Sequence, residues 1–203
     1  MNWDLFAAFL VITAILIVVP GPIVTLVIAT GARQGVRAAM VTVAGTSLGD
    51  AVLLTVIAFG LNWVLQNAAA LFELLRFVGA AYLIWLGIKA WRHAGETKPA
   101  ETSGRINFTR GFLVALSNPK TIAFFTAFLP QFVDPKLAVT TQLIVMCVVT
   151  VLLAALSNSA LAIVSGIGRA WFMRPDRTRL LGRVSDAVLV GGGVWLLLAR
   201  RTG

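Results

Sequence analysis

Apolar stretches long enough to cross a bilayer set the first limit on what this chain can fold into. A spanning helix needs about 20 consecutive, largely apolar residues. Residues 5–28 hold no charged side chain, and residues 38–64 hold one, Asp50. Residues 71–88 are shorter and carry Glu73 and Arg76, three apart on one helix face. Residues 111–133 hold one charge, Lys120, and residues 137–167 hold none. A last run, residues 184–199, contains Asp186 and the triplet Gly191-Gly192-Gly193. The sequence therefore predicts an all-α, polytopic membrane protein with six transmembrane helices, or five if the last run falls short. Composition agrees. The chain is 59% hydrophobic and 12% charged, where a soluble domain carries about 25% charged residues.

The longest polar stretch, residues 92–110, contains Gly95, Pro99, Ser103 and Gly104 and reads as a flexible connector. It divides one transmembrane domain, residues 1–203, into a first half (1–91) and a second half (111–203). Three spans on each side predict a 3+3 inverted repeat, because an odd number of spans flips the second half. Both halves open with an apolar helix interrupted by proline.

Net charge is +9, a value that on its own suggests nucleic acid. The distribution argues otherwise. Twelve basic residues, among them Arg33, Arg37, Arg92, Arg110, Arg169 and Arg183, fall in the loops after spans one, three and five. Four, Arg76, Lys136, Arg200 and Arg201, fall on the opposite side. That excess marks a cytoplasmic face beside anionic lipid and places both termini in the periplasm. Base-reading motifs are missing, so no nucleic-acid partner is expected. Trp3 and Trp63 near one face, and Trp91 and Trp171 near the other, suit interfacial belts or plain apolar filling. The first apolar run is too long for a signal peptide and has no basic residue before it, so it reads as a retained helix. The one cysteine, Cys147, cannot form an internal disulfide, and His93 sits in a polar loop. No metal site or cofactor is expected.

Four features carry chemistry. Pro20-Gly21-Pro22 interrupts the first span, and each proline removes a backbone donor. In hydrocarbon the freed carbonyls need a partner or a wet cavity. Asn118-Pro119-Lys120 interrupts the fourth span at a similar distance from the cytoplasmic end, so the two breaks are expected to face each other. Lys120, deep in a span, must be paired or hydrated. It either holds a substrate carboxylate or snorkels toward the cytoplasmic head groups. Asp50, the only acid deep in the spans, is expected to couple proton entry to solute exit, or else to pair structurally with Arg76. Asn158, within Ser157-Asn158-Ser159, and Tyr82 are candidates for solute contact or for interhelical hydrogen bonds. Gly45 and Gly49, beside Thr46, have the spacing of close helix packing. Pro130-Gln131-Phe132 reads as a second break or as the end of the fourth span.

These elements in this order resemble the LysE/RhtB family of amino-acid exporters. The resemblance rests on Pro20-Gly21-Pro22, a following loop at residues 31–35 with Arg33, and the glycine-and-acid stretch at residues 45–50. It continues through Gly79-Ala80-Ala81-Tyr82-Leu83 with Leu86-Gly87, Gly111-Phe112, Asn118-Pro119-Lys120, Phe124-Phe125 and Pro130-Gln131-Phe132. It reaches about residue 132, beyond which only length and hydropathy match. It implies a bacterial inner-membrane permease that exports amino acids or close derivatives, driven by the ion gradient. Members for lysine, arginine, threonine, homoserine or leucine share the framework. One buried acid and one buried base suit a neutral amino acid better than a dibasic one. Expected partners are the small solute and membrane lipid, with a homo-oligomer left open. Two other readings compete. An intramembrane enzyme on a lipid-linked substrate needs clustered acids, a His or a nucleophile with its base at one depth. A non-transporting subunit or scaffold has little use for broken, charged spans. A channel also suits broken helices, and lack of coupling in a flux assay separates it. No G-x-x-x-x-G-K-[ST] loop is present, so pumping must use a gradient or a separate motor.

Overall fold

The structure is a computed structural model, and it describes residues 1–67, Trp85 and residues 104–168. The spans expected at residues 71–88 and 184–199 lie outside the described residues, as do Arg76 and Tyr82. Among the described residues every regular element is helical. Helix α1 is Trp3–Val18, α2 is Pro22–Gln34, and α3 is Val36–Asn67. Helix α4 is Gly104–Leu116 and α5 is Pro119–Phe128, continued by a 3-10 turn over Leu129–Phe132. Helix α6 is Val139–Ile167.

Each boundary has a local cause. The Asn2 side chain caps α1 by accepting from the backbone N–H groups of Asp4 and Leu5. Helix α1 stops because Pro20 has no N–H to continue the ladder. Pro22 then opens α2 at its first position, where a missing donor is harmless. The two helices meet at 46°. Helix α2 runs on to Gln34, so the loop expected at residues 31–35 shrinks to Gly35. That residue has φ 91°, a left-handed value that favours glycine. Gly31 stays helical because its bare backbone packs against the Ser165 side chain of α6. The fourth span also differs from expectation. Its helix begins at Gly104, so the end of the polar connector is helical, and Asn107 is buried with its amide donating to Gln34 Oε1 at 2.8 Å. Pro130 sits in the 3-10 turn and ends the span rather than kinking it.

Among the described residues, three helical stretches are long and apolar enough to cross a membrane: Val36–Leu61, Asn107–Phe132 and Val139–Ile167. The bent α1–α2 pair makes a fourth if it is one span. Helix α6 displays the membrane pattern. Ile144, Val148, Leu152 and Leu156 are exposed on one face, while Gln142, Met146, Thr150, Ala154, Asn158 and Ala162 are buried at four-residue spacing on the other. With lipid outside, the apolar face turns outward and small or polar residues turn in.

Helices α3 and α4 touch backbone to backbone. A β-carbon at Gly45 would run into the Phe108 carbonyl, one at Gly49 into the Phe112 carbonyl, and one at Gly111 into the Thr42 carbonyl. Backbone cannot swing aside as a side chain can. Gly45→Val is therefore expected to lower stability by about 1–3 kcal/mol, as overpacking does. A drop in the unfolding midpoint in detergent checks this, and an unchanged midpoint refutes the close contact.

At the far end, Asp134 ties the α5–α6 turn to the N-terminus. Its carboxylate accepts from the Lys136 backbone N–H at 2.9 Å and from the Asn2 side chain at 3.4 Å. Those bonds, the backbone one foremost, hold its carboxyl below the usual range. Gln142 completes the turn by bonding both the N–H and the carbonyl of Asp134.

Candidate functional site

The proline break in the first span leaves a defined defect. In a continuous helix the N–H of residue 20 would bond the carbonyl of Leu16. Pro20 has no N–H, so that carbonyl needs another donor. The donor is Lys120. Its ammonium lies 2.9 Å from the Leu16 carbonyl oxygen and 2.7 Å from that of Val19. The side chain is buried. The ammonium thus turns inward to the other break, where the snorkelling alternative would have sent it toward head groups. Gly21 makes room for it, since a β-carbon there would sit 3.2 Å from both Cε and Nζ of Lys120.

The second break is built to aim this lysine. Asn118 caps α5, its Oδ1 accepting from the Lys120 backbone N–H at 3.2 Å. Its amide group donates to Thr121 Oγ1 at 2.8 Å. Pro119 occupies the first helical position and fixes the turn. Asn118 therefore has a capping role that the sequence motif alone does not reveal.

The two breaks share one cavity of about 50 Å³, and Gly21, Asp50, Asn118, Lys120, Thr150 and Asn158 are among its lining residues. At roughly 10–15 Å³ per water, that is room for about three to five waters or a small polar head group. The prolines shape the breaks, while Gly21, Asn118 and Lys120 face the space between them. Asp50 and Lys120 act on each other electrostatically. The alternative pairing of Asp50 with Arg76 lies outside the described residues, as does any role of Tyr82. Thr121 and Thr150 also line the cavity, and the sequence reading did not single them out. Their hydroxyls gave no signal because threonines in apolar helices routinely bond their own backbone, as Thr150 does to Met146 at 2.8 Å. Among the described residues no group of His, Cys, Asp and Glu is arranged to hold a metal ion.

Two buried apolar clusters flank the cavity residues along the chain. One buried cluster contains Phe9, Leu54, Phe128 and Met146, and a second contains Val27, Val43, Ala115 and Ala162. Along each of the four packed segments, the cavity residue falls between a member of one cluster and a member of the other. The order is Phe9, Gly21, Val27 on the first span and Leu54, Asp50, Val43 on α3. It is Phe128, Lys120, Ala115 on the fourth span and Met146, Asn158, Ala162 on α6. Along the chain, the acid and the base thus fall between two apolar clusters.

The profile of the family described as LysE type translocator matches residues 14–200. The chain belongs to that family. It is a transporter and not an enzyme. The LysE match extends well past residue 132, where the recognisable motifs stop. Among its relatives is a homoserine/homoserine lactone efflux protein of Salmonella typhimurium, 29% identical over 98% of this chain and 99% of that protein. An uncharacterised membrane protein of Pseudomonas aeruginosa is 37% identical over 90% of each chain. A leucine efflux protein of an Enterobacter species is 34% identical over 64% of each chain. No solved structure matches.

Proposed function

We propose that this LysE-family protein is a secondary-active, proton-coupled exporter of neutral amino acids or close derivatives across the bacterial inner membrane. The arrangement behind this reading is one cavity, at the meeting of two broken spans, that holds one acid and one base. A zwitterion needs one group of each sign. Broken spans on both sides of the cavity suit a carrier that exposes its site alternately. Relatives named for efflux of homoserine, its lactone and leucine support an outward direction and a small solute. Asp50 supplies the coupling, because a buried carboxylate must be met by a proton or by another cation. The remaining spans complete six, in a 3+3 inverted repeat with both termini periplasmic. The two proline breaks, one in each half, are what such a repeat would place opposite each other.

Inverted inner-membrane vesicles test the reading. An acidic interior should drive uptake of labelled leucine or homoserine, and an uncoupler should stop it. Uptake indifferent to the gradient would remove proton coupling. Movement of lysine and arginine alone would remove the neutral-substrate assignment.

A further inference from the structure

Two buried oxygens in the chamber, Asp50 Oδ1 and Asn158 Oδ1, have no hydrogen-bond partner among the described residues. Both residues line the cavity. They are only 6% and 4% exposed. Buried acceptors left unpaired are uncommon and destabilising. The neighbouring polar groups direct their hydrogen bonds elsewhere. The Thr150 hydroxyl donates to Met146, the Asn118 amide donates to Thr121, and Lys120 donates to Leu16 and Val19. What Asp50 Oδ1 and Asn158 Oδ1 lack is a donor bonded to them, and a carboxylate is best served by a charged one.

We propose that Asp50 and Asn158 together hold the primary ammonium group of the exported solute. An ammonium carries three N–H donors and one positive charge, so it can serve both oxygens and neutralise the carboxylate. The assignment rests on the exporter reading only for the identity of the solute. It also specifies how coupling works. Proton and ammonium compete for one carboxylate, so arrival of either releases the other. Lys120 is the charged group facing Asp50 from the other elements among the described residues, and its ties to the α1 carbonyls keep it from taking the ammonium's place. The wall formed by Leu16, Ile17, Leu54 and Phe125 offers nothing to a second cation, which disfavours dibasic solutes.

Thermal unfolding of the purified full chain in detergent tests the subsite with two probes. One is 3-methylbutylammonium. The other is its trimethylammonium analogue, which keeps the charge but has no N–H. The primary amine should raise the unfolding midpoint, and the quaternary analogue should not. Asn158→Leu should raise the half-saturating amine concentration on the order of ten- to a hundredfold, the usual effect of losing a hydrogen bond to a charged group. Asn158→Asp should keep or tighten binding, because it keeps the oxygen. The proposal is overturned by equal shifts from both probes, by no shift from the primary amine, or by amine binding that ignores Asn158→Leu. Loss of binding in Asn158→Asp also overturns it, since the amide would then be presenting its NH2 group. Each variant's midpoint without ligand reports its folding. Amine binding without gradient-driven amino-acid uptake would leave the subsite and remove the exporter; the reverse would do the opposite.

Discussion

Asp50→Asn is expected to reduce gradient-driven uptake into inverted vesicles to the background of vesicles lacking the protein. The substitution is close to isosteric, so the helix packing around Gly49 and Ala115 is undisturbed and the protein should still reach the membrane. What it removes is the ability to take up and give back a proton. An amide at position 50 also carries no charge to balance a bound ammonium. Both the driving reaction and part of the binding disappear together. Asp50→Glu keeps the acid on a longer stem and should retain partial activity. Immunoblotting of the membrane fraction and the unfolding midpoint separate this outcome from simple misfolding. Full, gradient-dependent uptake by a well-folded Asp50→Asn protein would show that protons travel elsewhere.

Lys120→Met should be the most damaging change to stability among the site residues. It strands the Leu16 and Val19 carbonyls, at about 1–3 kcal/mol for each buried acceptor left unpaired. It also leaves Asp50 without its nearby positive charge. Burying a lysine is itself unfavourable, and methionine relieves that term. The relief is the smaller effect, because three acceptors lose their donor or counter-charge at once. The geometry supplies a specific rescue. Pro20→Ala returns an N–H at position 20, within the reach of a helix for the Leu16 carbonyl. Adding it to Lys120→Met should recover about 1–3 kcal/mol of the loss, while transport stays low. Unfolding midpoints of the two single variants and the double variant form a thermodynamic cycle. Strict additivity would mean that the lysine does not substitute for the missing proline donor.

Much of this site was legible in the sequence because lipid makes some residues conspicuous. A carboxylate, an ammonium and two proline-interrupted helices are costly at depth, so their spacing alone suggested a shared cavity. The partners of Lys120 were not legible. Backbone carbonyls have no letter in a sequence, and their need for a donor follows from a proline on another helix a hundred residues away. Asn118 read as part of a break because its capping bond depends on the turn that follows. The extension of α2 to Gln34 was hidden by Gly31 and Gly35. Only one of these glycines turns the chain, and the other admits a neighbouring side chain. The early start of α4 was hidden by its polarity. Residues 104–110 look like a linker, yet Asn107 turns inward to bond Gln34.

The backbone contact between α3 and α4 limits how such a machine can move. Surfaces joined through long side chains can tilt or slip by exchanging rotamers. Here the backbones of Gly45, Gly49 and Gly111 lie against opposing carbonyls, so a side chain added at any of them would force the helices apart. We expect the pair to act as a stator. Asp50, on one member of that pair, would then stay in place while solute passes. Under the carrier reading, whatever opens the chamber to one side and then the other would hang from this frame, and the breaks at residues 19–21 and 117–118 are where those parts are already cut.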